Sequence, residues 1–173
     1  MRQVIVLDPT LKIDEVDMSY KAFIEQFKGH ILAYIIKDKG WTITKATNFL
    51  ESKFNFDPYV YGVMCRIVEN DNIKIILNRN PTITFGSILL MRVRRIKPDA
   101  EDYTLAIPSA ILPGLNADFD GDVLNTLGLE MEEFWNMFAG FSPINMLIDR
   151  TTSAIKYDVS PIENISLAIL SDK

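Results

Sequence analysis

The chain has 173 residues, 48% of them apolar and 24% charged, a composition that lets one domain bury its own core without disulfides or a structural metal. A single cysteine, Cys65, and a single histidine, His30, exclude an intrachain disulfide framework, cysteine-rich zinc sites and two-histidine metal constellations and leave little material for serine–histidine chemistry, so carboxylates are the expected source of chemistry. The formal charge of −5, taken alone, argues against a nucleic-acid partner, because phosphate binders usually carry a basic surplus.

Residues 4–7 and 11–13 read as short strands separated by the turn-like Asp8-Pro9-Thr10. A helical block follows, capped by Asp17 or Ser19, with Tyr20, Phe23, Ile24, Phe27, Ile31 and Leu32 at helical spacing, Gly29 as a break and Gly40 as a stop. Residues 42–54 form a second helical pattern with Ile43, Ala46, Phe49 and Leu50 on its inner face. Asp57-Pro58 opens a third, an N-cap followed by proline at the first helical position. The aromatics on these helices recur at core spacing, which points to packing rather than base stacking.

After residue 72 the pattern turns to β. Residues 73–77, 82–96, 104–111 and 123–129 are rich in Ile, Leu, Val and Thr, with Gly86, Pro98, Pro108, Pro113 and Gly114 as punctuation. Helical pattern resumes over 130–138, and Ser160-Pro161-Ile162-Glu163 is a capping box that predicts a terminal helix over 161–170. No run approaches the roughly 18 apolar residues of a membrane span, and Asp8-Pro9 comes too early for a signal peptide, so a cytoplasmic location without membrane contact is expected. No internal repeat or linker divides the chain.

The stretch richest in chemistry is Asn116-Ala117-Asp118-Phe119-Asp120-Gly121-Asp122. Three aspartates at alternate positions repel one another unless a cation lies between them, and an all-oxygen donor set favours magnesium over zinc. On a straight strand Asp118 and Asp122 would stand about 13 Å apart, too far to share an ion with bonds of about 2.1 Å. The chain must therefore curl, with Gly121 free to take positive φ and Phe119 available to anchor the loop in the core. A calcium loop of the EF-hand kind fails in detail, since the glycine it needs is Val123 and its bidentate glutamate is Leu129. An acidic surface turn is the remaining plain reading.

The complete string decides between them. Asn-Ala-Asp-Phe-Asp-Gly-Asp resembles the signature of the largest, β′-type subunit of multisubunit DNA-directed RNA polymerases, and a chance match of seven residues is on the order of one in a billion per position. Asn78-Arg79-Asn80-Pro81-Thr82 is similar to the Asn-Arg-x-Pro-Thr element that precedes the aspartate loop in that family, and residues 2–13 are similar to its opening strand. The resemblance runs over nearly the whole chain, with the two central motifs specific and the flanks suggestive. There are departures: Ile83-Thr84 stands where the family commonly has Leu-His, and Val123-Leu124-Asn125-Thr126-Leu127 where it has Gln-Met-Ala-x-His. So divergent a version resembles a large-phage or mobile-element subunit, or an excised fragment.

The resemblance implies an α+β fold, a double-psi β-barrel with helices inserted after the first strand and a helical C-terminal extension. It divides the chain into a barrel over 1–128, with an insertion at about 17–70, and an extension over 129–173. It implies Mg2+ held by Asp118, Asp120 and Asp122 as catalytic ligands, Asn116 and Arg79 on the ribose of a nucleoside triphosphate, and Gly121 and Pro81 shaping the loops. It also implies partners: a second-barrel, β-type subunit with further polymerase subunits, a DNA template and an RNA transcript. The isolated chain is expected to be inactive. Two other classes stay in view, an RNA-dependent polymerase of the two-barrel RNA-silencing type and a non-catalytic barrel used for interaction. Arg92, Arg94, Arg95 and Lys97 form the one basic cluster, and alternation puts Arg92 with Arg94 on one face and Arg95 with Lys97 on the other, as a nucleic-acid contact or a solvated edge. With three acidic residues given to a metal and duplex contact left to partners, the negative total no longer argues against nucleic acid.

Overall fold

A computed structural model describes residues 1–82 and 85–146. Six strands close into one barrel in the order β1-β5-β2-β4-β3-β6, where β1 is Arg2–Leu7, β2 Glu15–Ser19, β3 Lys74–Asn78, β4 Ile88–Lys97, β5 Leu105–Ile107 and β6 Val123–Leu129. β1 lies parallel to β5 and β2 parallel to β4, while the β1·β6, β2·β5, β3·β4 and β3·β6 pairs are antiparallel. Exchanging each strand for the one three places along the chain leaves this set unchanged: β1·β5 becomes β4·β2, β1·β6 becomes β4·β3, and the other two pairs map onto themselves. That internal two-fold is the double-psi pattern, so the α+β barrel expected from the sequence is the fold.

Alternation along the strands fills the interior. Ile75 and Leu77 of β3, Leu89, Met91 and Val93 of β4, Leu105 and Ile107 of β5 and Leu124 of β6 are all buried. β2 behaves differently, because all five of its residues are buried, including Glu15 and Asp17. A buried carboxylate is stable only when paired, and β4 supplies the pairs. Arg92 binds Glu15, while Arg94 binds Asp17 at 2.6 Å and Asp8 at 2.9 Å. Arg95 reaches the same Asp17 at 2.6 Å, and Lys97 holds Asp102 at 2.7 Å. The strict alternation expected for the basic cluster is broken here: the β2·β4 register shifts between Val16 and Asp17, so that Val16 faces Val93 but Asp17 faces Arg95. The extra residue on β4 turns two consecutive arginines toward one carboxylate.

The helical insertion lies between β2 and β3, one strand later than expected. It comprises α1 (Tyr20–Gln26), α2 (Lys28–Lys39), α3 (Ile43–Ser52) and α4 (Pro58–Asp71). Ser19 caps α1 by accepting from Ala22 N, and α1 gives way to α2 at Phe27 rather than at Gly29. Gly40, at φ 64°, ends α2 as its position suggested. Asp57 caps α4 by accepting from Tyr59 N at 2.9 Å and Val60 N at 3.2 Å. Tyr20, Phe23, Phe27, Ile31, Ile35, Leu50, Met64 and Ile67 pack into one core continuous with the barrel.

α5 (Leu112–Leu115) lies between β5 and β6, and α6 (Glu132–Met137) and α7 (Pro143–Met146) follow the last strand. The helix expected over 161–170 falls outside the described residues. Among those residues no helix is long and apolar enough to cross a membrane.

Candidate active site

The β3·β6 register brings the two central motifs together. Asn78, the last residue of β3, pairs with Asn125 near the start of β6. Because the strands are antiparallel, the chain leaving β3 and the chain entering β6 emerge at the same end of the barrel. Arg79 follows Asn78 directly and Asp122 directly precedes β6, and their side chains meet: Arg79 Nη2 lies 3.0 Å from Asp122 Oδ2. Both are partly exposed, at 22% and 26% of their side-chain surface.

The segment between α5 and β6 curls as the carboxylate spacing requires. Asn116 ends α5 in the left-handed region at φ 50°, a conformation asparagine tolerates better than most residues. Its N–H bonds to Pro113 O, and that of Ala117 bonds to Leu112 O. Phe119 packs against the core from within the turn. Gly121 turns the chain at φ 111°, where a side chain would be strained. The curl brings the two ends of the turn within hydrogen-bonding reach: Asp118 N–H donates to Asp122 Oδ2 at 3.0 Å, and Phe119 N–H donates to Asp118 Oδ1 at 2.7 Å. At the far end, Ile5 N–H donates to Asp122 O at 3.0 Å and ties the turn to β1. Asp118 and Asp120 are exposed and Asp122 is half-buried.

The Arg79 loop is braced by its own motif neighbours, for which the sequence indicated no separate role. Thr82 Oγ1 donates to Asn78 Oδ1 at 2.9 Å, Asn78 Nδ2 donates to Asn80 Oδ1 at 3.3 Å, and Arg79 N–H donates to Ser87 O at 3.1 Å. The Asn80–Pro81 peptide is cis. The far side of this loop, the 3-10 turn Phe85–Ser87, rests on α5: a Cβ placed on Gly86 would lie 2.7 Å from the carbonyl oxygen of Gly114. Only a glycine fits so near a backbone, and no periodicity announces it. Asn78 and Thr82 are the two ends of the Asn-Arg-x-Pro-Thr motif, so the sequence marked their positions but not their bracing role.

In its chemistry the donor set fits a hard divalent cation: three carboxylates within one five-residue turn, two exposed and one partly exposed, free of sulfur or imidazole. Among the described residues, no three acidic, histidine or cysteine side chains already converge as a metal-holding group. The β4 cations do not belong to this site, since each is engaged with a carboxylate of the barrel or of the β4–β5 connection. His30 lies elsewhere, edge-on to Phe27 with ring centroids 6.2 Å apart.

Comparison with known proteins gives the family. The β′ subunits of DNA-directed RNA polymerase from Sulfurimonas denitrificans and Sulfurovum sp. are 34% and 33% identical to this chain over 123 residues, a stretch covering 70% of the chain and 8% of each relative. The β′ subunit from Bigelowiella natans is 29% identical over 160 residues, covering 89% of the chain and 20% of that protein. No protein-family model matches. The chain belongs to the β′-subunit family of DNA-directed RNA polymerases and spans only a small part of the length of these relatives.

Proposed function

We propose that this chain is the catalytic segment of a DNA-dependent RNA polymerase, in which Asp118, Asp120 and Asp122 bind Mg2+ while Asn116 and Arg79 recognise the ribose of the incoming nucleotide. The observation that carries the reading is the meeting of Arg79 and Asp122 at 3.0 Å, from motifs more than forty positions apart in the sequence. A bound Mg2+ would acidify the RNA 3′-hydroxyl and offset negative charge at the α-phosphate, within a two-metal scheme whose second ion comes with the triphosphate.

The residues of the chain have separable tasks. The aspartates supply oxygen ligands from a turn whose curvature is set by Gly121 and anchored by Phe119. Asn116 stands exposed at the entrance of that turn, where its amide can both donate to and accept from a sugar hydroxyl. The planar fork of Arg79 suits a pair of sugar oxygens, and the 2′-hydroxyl is what separates a ribonucleotide from a deoxyribonucleotide. Pro81 shapes the loop that carries Arg79. No protein general base is required, which suits a chain with one histidine outside the site.

Grip on template, transcript and triphosphate falls to a second-barrel, β-type subunit and to other polymerase subunits, so the purified chain alone is expected to add no nucleotide. Asp120→Ala in a reconstituted polymerase tests the assignment: RNA synthesis should be lost while assembly, followed by co-purification, is unchanged. Synthesis retained by a correctly assembled Asp120→Ala enzyme would remove the catalytic role. The β′ relatives favour this reading over an RNA-silencing polymerase, and the Asp120→Ala test separates it from a non-catalytic barrel.

A further inference from the structure

Asp122 Oδ2 is already engaged from two directions. It accepts from Asp118 N–H at 3.0 Å and from the Arg79 guanidinium at 3.0 Å. A carboxylate oxygen offers about two lone-pair directions. A divalent ion that takes this oxygen as a ligand must therefore displace one of the two donors. The backbone N–H is part of the turn and is held by it, whereas Arg79 meets Asp122 only through the end of a long, partly exposed side chain.

We propose that Arg79 and the divalent ion compete for Asp122 Oδ2, so that loading the ion releases the guanidinium to meet the nucleotide ribose. This rests on the metal-binding reading above and adds an order of events to it: the sugar-reading arginine becomes available only after the metal has arrived. The electrostatics run the same way. A guanidinium at the turn offsets the mutual repulsion of Asp118, Asp120 and Asp122, and it also repels an incoming cation.

The test is titration of the full chain with Mn2+, an oxygen-seeking ion with an electron-spin signal of its own, for wild type, Arg79→Ala and Arg79→Lys. Removing the competitor should tighten Mn2+ binding by about threefold to fivefold, the range set by a partly exposed ion pair. Arg79→Lys keeps the charge and should stay close to wild type. In parallel, the Arg79 Nε resonance of wild-type chain should shift as diamagnetic Mg2+ is added, and the shift should saturate with metal occupancy. Unchanged or weaker Mn2+ binding in Arg79→Ala, with the fold intact by circular dichroism, overturns the competition while leaving the metal site standing. Failure of the wild-type chain to bind Mn2+ at all takes down both the competition and the metal reading beneath it.

Discussion

Gly86→Ala is the substitution that most directly probes how the two loops are held together. A Cβ at this position would lie 2.7 Å from Gly114 O and 2.9 Å from both Gly114 C and Gly114 Cα. All three neighbours are backbone, so no side chain can rotate away. Ordinary carbon contacts begin near 3.4 Å, so the 3-10 turn must part from α5 by roughly 0.5–0.7 Å, at a cost of about 1–3 kcal/mol for overpacking. For a domain of this size that is a fall in Tm of roughly 2–12 °C. The displacement also matters chemically. α5 leads into the aspartate turn and the 3-10 turn closes the Arg79 loop, so parting them pulls Arg79 away from Asp122. Urea unfolding of wild type, Gly86→Ala and Gly62→Ala would measure the effect. Gly62 is an exposed position of α4 where an added methyl would have nothing within 4 Å, so Gly62→Ala should stabilise by about 0.5–1 kcal/mol through helix propensity. If Gly86→Ala unfolds at the wild-type urea concentration, the close approach of the two backbones does not constrain the site and the argument fails.

Two further predictions concern the supporting helices. Asp57→Ala removes the acceptor for Tyr59 N and Val60 N at the start of α4 and should cost about 1 kcal/mol, read as a lower urea midpoint at unchanged slope. Tyr20 donates to Lys53 O and accepts from Asp57 N, and burial raises its phenol from 10.0 to about 12. Its neutral form is thus favoured by folding, so the contribution is fully present below pH 10 and is lost as pH rises from 10.0 to about 12. The urea midpoint of Tyr20→Phe should lack that alkaline decline, and an identical decline in both proteins would assign it to another group.

Much of this architecture could be read from local chemistry. Asp57-Pro58, Ser19 and Gly40 each mark a helix end by a mechanism confined to a few neighbouring residues, and all three stand where that mechanism puts them. β2 was not readable in this way. Its sequence, Glu-Val-Asp-Met-Ser, has two acids in a strand buried on both faces, and the arginines that make this tolerable lie 77 and 78 residues away on β4. Local pattern therefore favours a helix start over a strand there. The arginine bulge was hidden for the same reason, because alternation is a property of one strand and the register shift belongs to a pair. At the site, residue types and spacing marked the aspartate turn, including the need for it to curl. The meeting of Arg79 with Asp122 and the fit of Gly86 on Gly114 join residues far apart in the chain and arise only once the strands are assembled.

The internal two-fold gives a physical reason why the aspartate cluster sits on the connection between β5 and β6. It relates the connection between β2 and β3, which holds α1 to α4, to the connection between β5 and β6, which holds α5 and the aspartate turn. The strands at either end are fixed by pairing with other strands, so the barrel tolerates very different connection lengths at the two equivalent places. The long one extends the barrel's apolar core through Phe23, Phe27 and Ile31, an environment in which three clustered carboxylates would be costly. The short one stays exposed, which lets Asp118 and Asp120 remain solvated. What limits crowding there is mutual repulsion, and the sheet cannot relieve it, since Arg92, Arg94, Arg95 and Lys97 are committed to other carboxylates. Relief must come from the neighbouring connection, between β3 and β4. Arg79 on that connection is the cation in ion-pair contact with the turn among the described residues, and so the arginine loop and the aspartate turn are stable as a pair.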